Sequence, residues 1–140
     1  YQYGPACILP NLYLGASYNA ENTQQLHRLD VTSIINVASE INLPPASNKL
    51  EYHHIRWTHN QHNLDFNRVI QIIYTAHSKN QVVLVHCQQG IERSATLVLA
   101  YLIYLSRQNW SLDHAISYVQ KRAPAIRPNM NQLYQLREYE

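Results

Sequence analysis

This 140-residue chain predicts an α/β fold, with a central and mostly parallel sheet flanked by helices. Three observations carry that reading. Short β-branched runs alternate with stretches of helical periodicity along the whole chain, as strand–helix–strand units do. One such run, Val82 to His86, passes through a short loop into the longest apolar stretch, Ala95 to Leu105. No internal repeat, low-complexity tract or linker breaks the alternation, so residues 1–140 read as one domain, large enough to bury a core.

Ala6 to Leu9 and Leu12 to Leu14 are strand-like, split by Pro10-Asn11 and stopped by Gly15. Cys7 is expected to be a buried strand cysteine, although a peroxide-driven disulfide with Cys87 is a second reading. Ala20 to Leu29 has helical spacing, with Leu26 and Leu29 on one side. Thr32 to Val37 is a strand by its β-branched content. Residues 42–48, holding Pro44-Pro45, read as loop, and Tyr52 to Trp57 returns as strand. Phe66, Val69, Ile70 and Ile73 place a helix over Leu64 to His77. The strand Val82–His86, its loop and the central helix to about Ser106 follow. Ser111 caps a helix with the inner face Leu112, Ala115, Ile116 and Val119. Pro124 and Pro128 then bracket a connector, and a last helix carries Met130, Leu133 and Leu136.

Composition narrows the function. The chain is 46% hydrophobic, 14% charged and carries a net charge of +2, which offers no basic face for nucleic acid or membrane. Its longest apolar run falls well short of the ~20 residues of a membrane span. Two cysteines make no disulfide framework, so a reducing cytoplasmic or nuclear setting is expected. The chain opens on Tyr1 without a methionine, and an excised domain is the expectation. The tyrosines, among them Tyr101, Tyr104, Tyr134 and Tyr139, read as packing residues.

The chemistry lies in His86-Cys87-Gln88-Gln89-Gly90-Ile91-Glu92-Arg93-Ser94. A cysteine and an arginine separated by five residues, on a turn between strand and helix, make a phosphate cradle with a nucleophile at its base. The N–H groups of the turn and the helix N-terminus favour an anion, and they favour thiolate over thiol. Cys87 would attack phosphorus and form a phosphocysteine. Arg93 presents a planar fork that matches two phosphate oxygens. Gly90 allows backbone geometry that a β-carbon would obstruct. Ser94 is placed to donate to the cysteine sulfur and ease its departure, and His86 orients the loop. Substrate contact is assigned to Gln88, Gln89, Gly90, Ile91, Glu92 and Arg93. Glu92 is expected to face outward, because a carboxylate beside a dianion weakens binding unless it is paired.

With these residues in view, the chain resembles the dual-specificity protein phosphatases, most of all the mitogen-activated protein kinase phosphatases. The likeness runs through Gly4-Pro5, Ile8 to Gly15, Ile34 to Ala38, Tyr52 with Ile55, Val85 to Gln88, Arg93 to Thr96, Ala100 to Leu102, Pro128-Asn129 and Gln135-Leu136. It implies the cysteine-dependent phosphatase fold, Cys87 as nucleophile, Arg93 as phosphate binder, and Asn36 and Asn129 as supports of the loop region. It also implies no cofactor, a monomeric enzyme and a phosphorylated protein, a mitogen-activated protein kinase, as partner.

One departure matters. The family supplies a general acid as an Asp on the loop after the Tyr52–Trp57 strand, and alignment puts His59 there. The Trp57-Thr58-His59 run resembles fungal members of the group. An imidazole changes charge near neutrality when unperturbed, which suits a general acid. Asp65 is the rival, with a helix-start acid as its plainer reading, and the absence of any internal acid is the third reading.

Gln88, Gln89 and Ile91 bring no cation into the loop, which favours a phosphoprotein over a multiply charged lipid or RNA phosphate. Arg122 and Arg127 could meet a second phosphate or simply be solvated. His53, His54, His59 and His62 lack the partners of a metal site, so no metal is expected. The contrasting function is a phosphoprotein-binding module without turnover. Cys87 and Ser94 argue against it, since a binder needs the cradle but neither the nucleophile nor the serine.

Overall fold

The computed structural model describes residues 1–42 and 49–140; most of the expected Pro44-Pro45 loop lies outside them. Among the described residues, five strands form one sheet in the order β1-β2-β5-β3-β4. They are β1 (Ala6–Leu9), β2 (Leu12–Gly15), β3 (Val31–Asn36), β4 (Glu51–His54) and β5 (Val82–His86). Only the β1–β2 hairpin is antiparallel; β2–β5, β5–β3 and β3–β4 pair in parallel. The mostly parallel α/β sheet expected from the sequence is therefore present, with β5 at its centre.

Alternation along the strands divides the core. Ile34 and Leu84 point to the face covered by α1 (Ser17–Glu21) and α2 (Thr23–Arg28), where they pack with Ala20 and Leu26. Ile35, Val83 and Val85 point to the opposite face. There they join the larger core with α3 (Phe66–Ser78), α4 (Arg93–Leu105), α5 (Leu112–Gln120) and α6 (Met130–Tyr139). Helix α4 is buried along most of its length, which is why its sequence reads as apolar on every side.

Several boundaries differ from the sequence reading for identifiable reasons. The helix expected over Ala20–Leu29 is two helices, because the Asn22 side chain accepts from the Gln25 N–H and starts a new one. The strand expected to reach Trp57 ends at His54. Beyond it, the Trp57 carbonyl accepts from the Ser39 N–H, outside any ladder. Helix α4 begins at Arg93, so Arg93 and Ser94 occupy its first turn. Cys7 is exposed, correcting the expectation of a buried cysteine. On this edge strand the alternation turns Ile8 inward and Cys7 outward.

Candidate active site

The loop from Cys87 to Glu92 leaves the carboxyl end of β5, the central strand, as parallel sheets place their ligand sites. Its shape is set by where its carbonyls go. The His86 carbonyl accepts from Val37 N–H (2.9 Å), and the Gln88 carbonyl from Ser17 N–H (3.0 Å). The Gly90 carbonyl accepts from the Tyr1 hydroxyl (2.6 Å) and the Ile91 carbonyl from Arg127 N–H (2.8 Å). The Cys87 carbonyl lies 3.0 Å from His86 Nδ1, and Thr96 donates to the Glu92 carbonyl from both its N–H and its Oγ1. A peptide N–H points opposite to its carbonyl, so tying the carbonyls outward aims the N–H groups at the centre.

Cys87 sits at that centre, buried, with Sγ 3.1 Å from Ser94 Oγ and accepting from the Gly90 N–H at 3.2 Å. Gly90 has φ +74°, and a β-carbon there would lie 2.8 Å from the Gly15 carbonyl oxygen. Glycine is thus required twice over, by conformation and by space. The buried His86 donates from Nδ1 to a carbonyl, and burial pushes its pKa down, so it is a neutral strut of the loop. Burial, with the Cys87 sulfur nearby, pushes the Tyr1 hydroxyl pKa up and keeps it a donor.

Arg93 is 1% exposed, and its guanidinium is almost fully engaged. Glu40 takes a hydrogen from each terminal nitrogen, at 2.7 Å from Nη1 and 2.6 Å from Nη2. Trp57 O accepts from Nη1 at 3.0 Å, and His59 Nε2 lies 3.2 Å from Nη2. Of the three guanidinium nitrogens, only Nε is buried without a partner among the described residues. The geometry of a guanidinium then leaves one edge for a ligand, made of the Nε–H and the Nη2 hydrogen now facing His59. The hydrogen bonds from Arg93 hold the Glu40 pKa down to about 2, overcoming its partial burial. Burial works against the Arg93 charge, yet the Glu40 carboxylate outweighs it and the Arg93 pKa is raised.

His59 is brought to the loop; Asp65 is committed elsewhere. Asp65 accepts from the Trp57 indole N–H (2.8 Å) and from Arg68 Nε (2.6 Å). Burial opposes its charge, but these donors keep its carboxyl below the usual range. Glu92 corrects the sequence reading. Its carboxylate does not face outward but turns over the loop, with Oε1 3.3 Å from His59 Nδ1 and Oε2 accepting from Asn129 Nδ2 at 3.3 Å. Asn129 Nδ2 also donates to the His59 carbonyl (2.8 Å), and Asn129 caps α6. Asn36 holds the segment that carries Glu40, through Ala38 N–H, the Ile41 carbonyl and the Tyr52 hydroxyl.

The remaining residues assigned from sequence are nearby but less engaged. The Gln88 and Gln89 side chains are exposed at the rim, where they line the hollow with Cys87, His59, Ile91, Glu92 and Arg93. Arg122 stacks 3.6 Å over the Tyr118 ring, and Arg127 is exposed next to the loop it supports through its N–H. Among the described residues no three His, Cys, Asp or Glu side chains converge as a metal site would need. Glu40 is the residue that sequence reasoning missed. Its signal was an acid four residues beyond the end of a buried strand, Asn36, at the same sheet edge as the loop.

The hollow above Cys87 is small, about 20 Å³, room for roughly one water. A phosphate group taking the open Arg93 edge would compete for the Nη2 hydrogen that now faces His59. The arrangement can bind a tetrahedral anion, attack it with sulfur and protonate a leaving oxygen.

Known proteins fit this geometry. The model of the dual specificity phosphatase catalytic domain matches residues 12–140. The chain is 40% identical over 147 residues to Tyrosine-protein phosphatase MSG5 of Saccharomyces cerevisiae, covering 99% of this chain and 29% of that protein. It is 38% identical over 146 residues to Dual specificity protein phosphatase 1 of Homo sapiens, covering 99% of this chain and 38% of the relative. The chain thus spans well under half of these curated relatives. The crystal structure of DUSP15 superposes with a TM-score of 0.87 at 26% identity, covering 97% of this chain and 86% of that one. A family match that runs over nearly all of the sheet, the loop and the helices behind it leaves one assignment: the chain belongs to the dual specificity phosphatase catalytic domain family.

Proposed function

We propose that this domain hydrolyses phosphotyrosine and phosphoserine or phosphothreonine on a protein, through a phosphocysteine, with no metal or other cofactor. The observation that carries the reading is the buried Cys87 sulfur, held by Gly90 N–H and Ser94 Oγ in a hollow that it lines together with Arg93, whose Nε has no partner among the described residues. In the first step Cys87 Sγ bonds to phosphorus while the ester P–O bond breaks, and His59 gives a proton to the departing oxygen. In the second, water passes a proton to His59 and bonds to phosphorus, and the Cys87 thiolate leaves with a hydrogen bond from Ser94. The contact of His59 with Arg93 supports its role, as does the commitment of Asp65 to Trp57 and Arg68.

The neutral loop side chains Gln88 and Gln89 favour a phosphoprotein, and the sequence resemblance points to a mitogen-activated protein kinase. Among the described residues no helix is long and apolar enough to cross a membrane. A monomer working in the reducing cytoplasm or nucleus fits a nucleophile that must stay an unoxidised cysteine. The test is hydrolysis of an aryl phosphate and a phosphoserine peptide. Turnover should be unaffected by chelator and abolished by Cys87→Ser. His59→Ala should slow the peptide more than the aryl ester, since an alkyl oxygen leaves poorly without a proton. Turnover that survived Cys87→Ser would overturn the mechanism. Asp65→Ala behaving as expected for His59→Ala would move the acid to Asp65.

A further inference from the structure

We infer that Glu92, inside the catalytic loop, is the positioning residue of the general acid, so that the proton is carried by a carboxylate–imidazole pair. The inference rests on His59 being the acid and goes beyond it. Three contacts converge. Glu92 Oε1 is 3.3 Å from His59 Nδ1. Asn129 Nδ2 bridges the other Glu92 oxygen (3.3 Å) and the His59 carbonyl (2.8 Å), which fixes both members of the pair to the start of α6. Arg93 Nη2 lies 3.2 Å from His59 Nε2. A guanidinium can only donate, so a hydrogen bond at this contact needs Nε2 as acceptor, which leaves Nδ1 as the ring N–H that faces Glu92.

This arrangement is set up for an exchange. The open edge of Arg93 is its Nε–H together with the Nη2 hydrogen now spent on His59. A phosphate that takes that edge withdraws the donor from Nε2, which can then be protonated. The titratable groups around the ring are Glu92 from the loop, Arg93 from α4 with Glu40 behind it, and Cys87 at the floor of the hollow. With Arg93 turned to the phosphate, Glu92 is the anion in direct reach of the imidazolium. The proton on Nε2 goes to the leaving oxygen as the P–O bond breaks. The ring is left neutral with its other proton still on Nδ1 toward Glu92, ready to take the next proton from water.

Charge explains why a carboxylate is tolerated beside a dianion. A protonated aspartic acid is neutral before proton transfer and carries one negative charge afterwards. An imidazolium with Glu92 has the same net charge at both stages, whereas an imidazolium alone would be one unit more positive. The histidine at the acid position and the loop glutamate beside it thus form one charge-compensated pair.

The test is a leaving-group series of aryl phosphates with Glu92→Gln, His59→Ala and the double variant, plus binding of vanadate. Glu92→Gln keeps the shape and the Asn129 contact. It should reduce the ratio of poor- to good-leaving-group kcat by about tenfold and move the falling alkaline limb of kcat to lower pH. The double variant should be no slower than His59→Ala, and vanadate should bind Glu92→Gln at least as tightly as the parent. Equal slowing of good and poor leaving groups, additive losses in the double variant, or loss of vanadate binding would each overturn the inference while leaving His59 as the acid. A leaving-group dependence unchanged by His59→Ala would instead overturn the reading on which it rests.

Discussion

Replacing Glu40 by Gln keeps the side chain's shape but removes the charge that grips both terminal nitrogens of Arg93 at 2.6 and 2.7 Å. Holding the Glu40 pKa at about 2 rather than 4.5 corresponds to roughly 3 kcal/mol of stability by linkage. The carboxylate is 40% exposed, however, and solvent screening reduces this to about 1–2 kcal/mol. The sign follows from a depressed carboxylate pKa: the stabilisation is complete above about pH 4.5 and drains away as pH falls toward 2. Glu40→Gln should therefore melt about 3–8 °C below the parent at pH 7, with the gap shrinking by more than half by pH 3. Activity should fall as well, by about 10- to 100-fold in kcat/KM, because the fork is no longer held with its Nε edge toward Cys87. Thermal melts at several pH values, read beside aryl phosphate kinetics, make the measurement. Equal melting temperatures at pH 7, or a gap that persists unchanged at pH 3, would refute the account of Arg93 as a buried cation held by Glu40.

Two further substitutions probe the loop. Ser94→Ala removes the donor 3.1 Å from the Cys87 sulfur, so the second step should slow more than the first. Rapid-quench kinetics should then show a burst of phenol and accumulated phosphocysteine, with the steady rate down about tenfold or more. Gly90→Ala places a β-carbon 2.8 Å from the Gly15 carbonyl oxygen at φ +74°. It should cost about 2 kcal/mol or more in denaturant unfolding and lower vanadate affinity, because the loop must open to admit the methyl group.

The legible parts of this protein were those written in local pattern. The strand Val82–His86, the loop and the apolar helix behind it follow from β-branched content, a cysteine–arginine spacing and a run without polar residues. The side-chain direction of Glu92 did not follow, because its partners His59 and Asn129 are 33 and 37 residues away in sequence and meet it only in the fold. Glu40 was invisible for the same reason: its worth depends on a buried cation 53 residues further on. Cys7 was misjudged because strand propensity says nothing about which face of an edge strand is covered. Asn22 did carry a local signal, since Asn is a favoured helix cap, but helical spacing on both sides of it masked the break.

Apart from the local hold of Thr96 on Glu92, the carbonyls that shape the catalytic loop are held by Tyr1, Ser17, Val37 and Arg127, groups far from it in sequence. Such long-range contacts form late, after local helices and hairpins have appeared. The shape of the loop is thus tied to contacts that close only when distant parts of the chain have come together. During refolding, helical signal should return first and vanadate binding last.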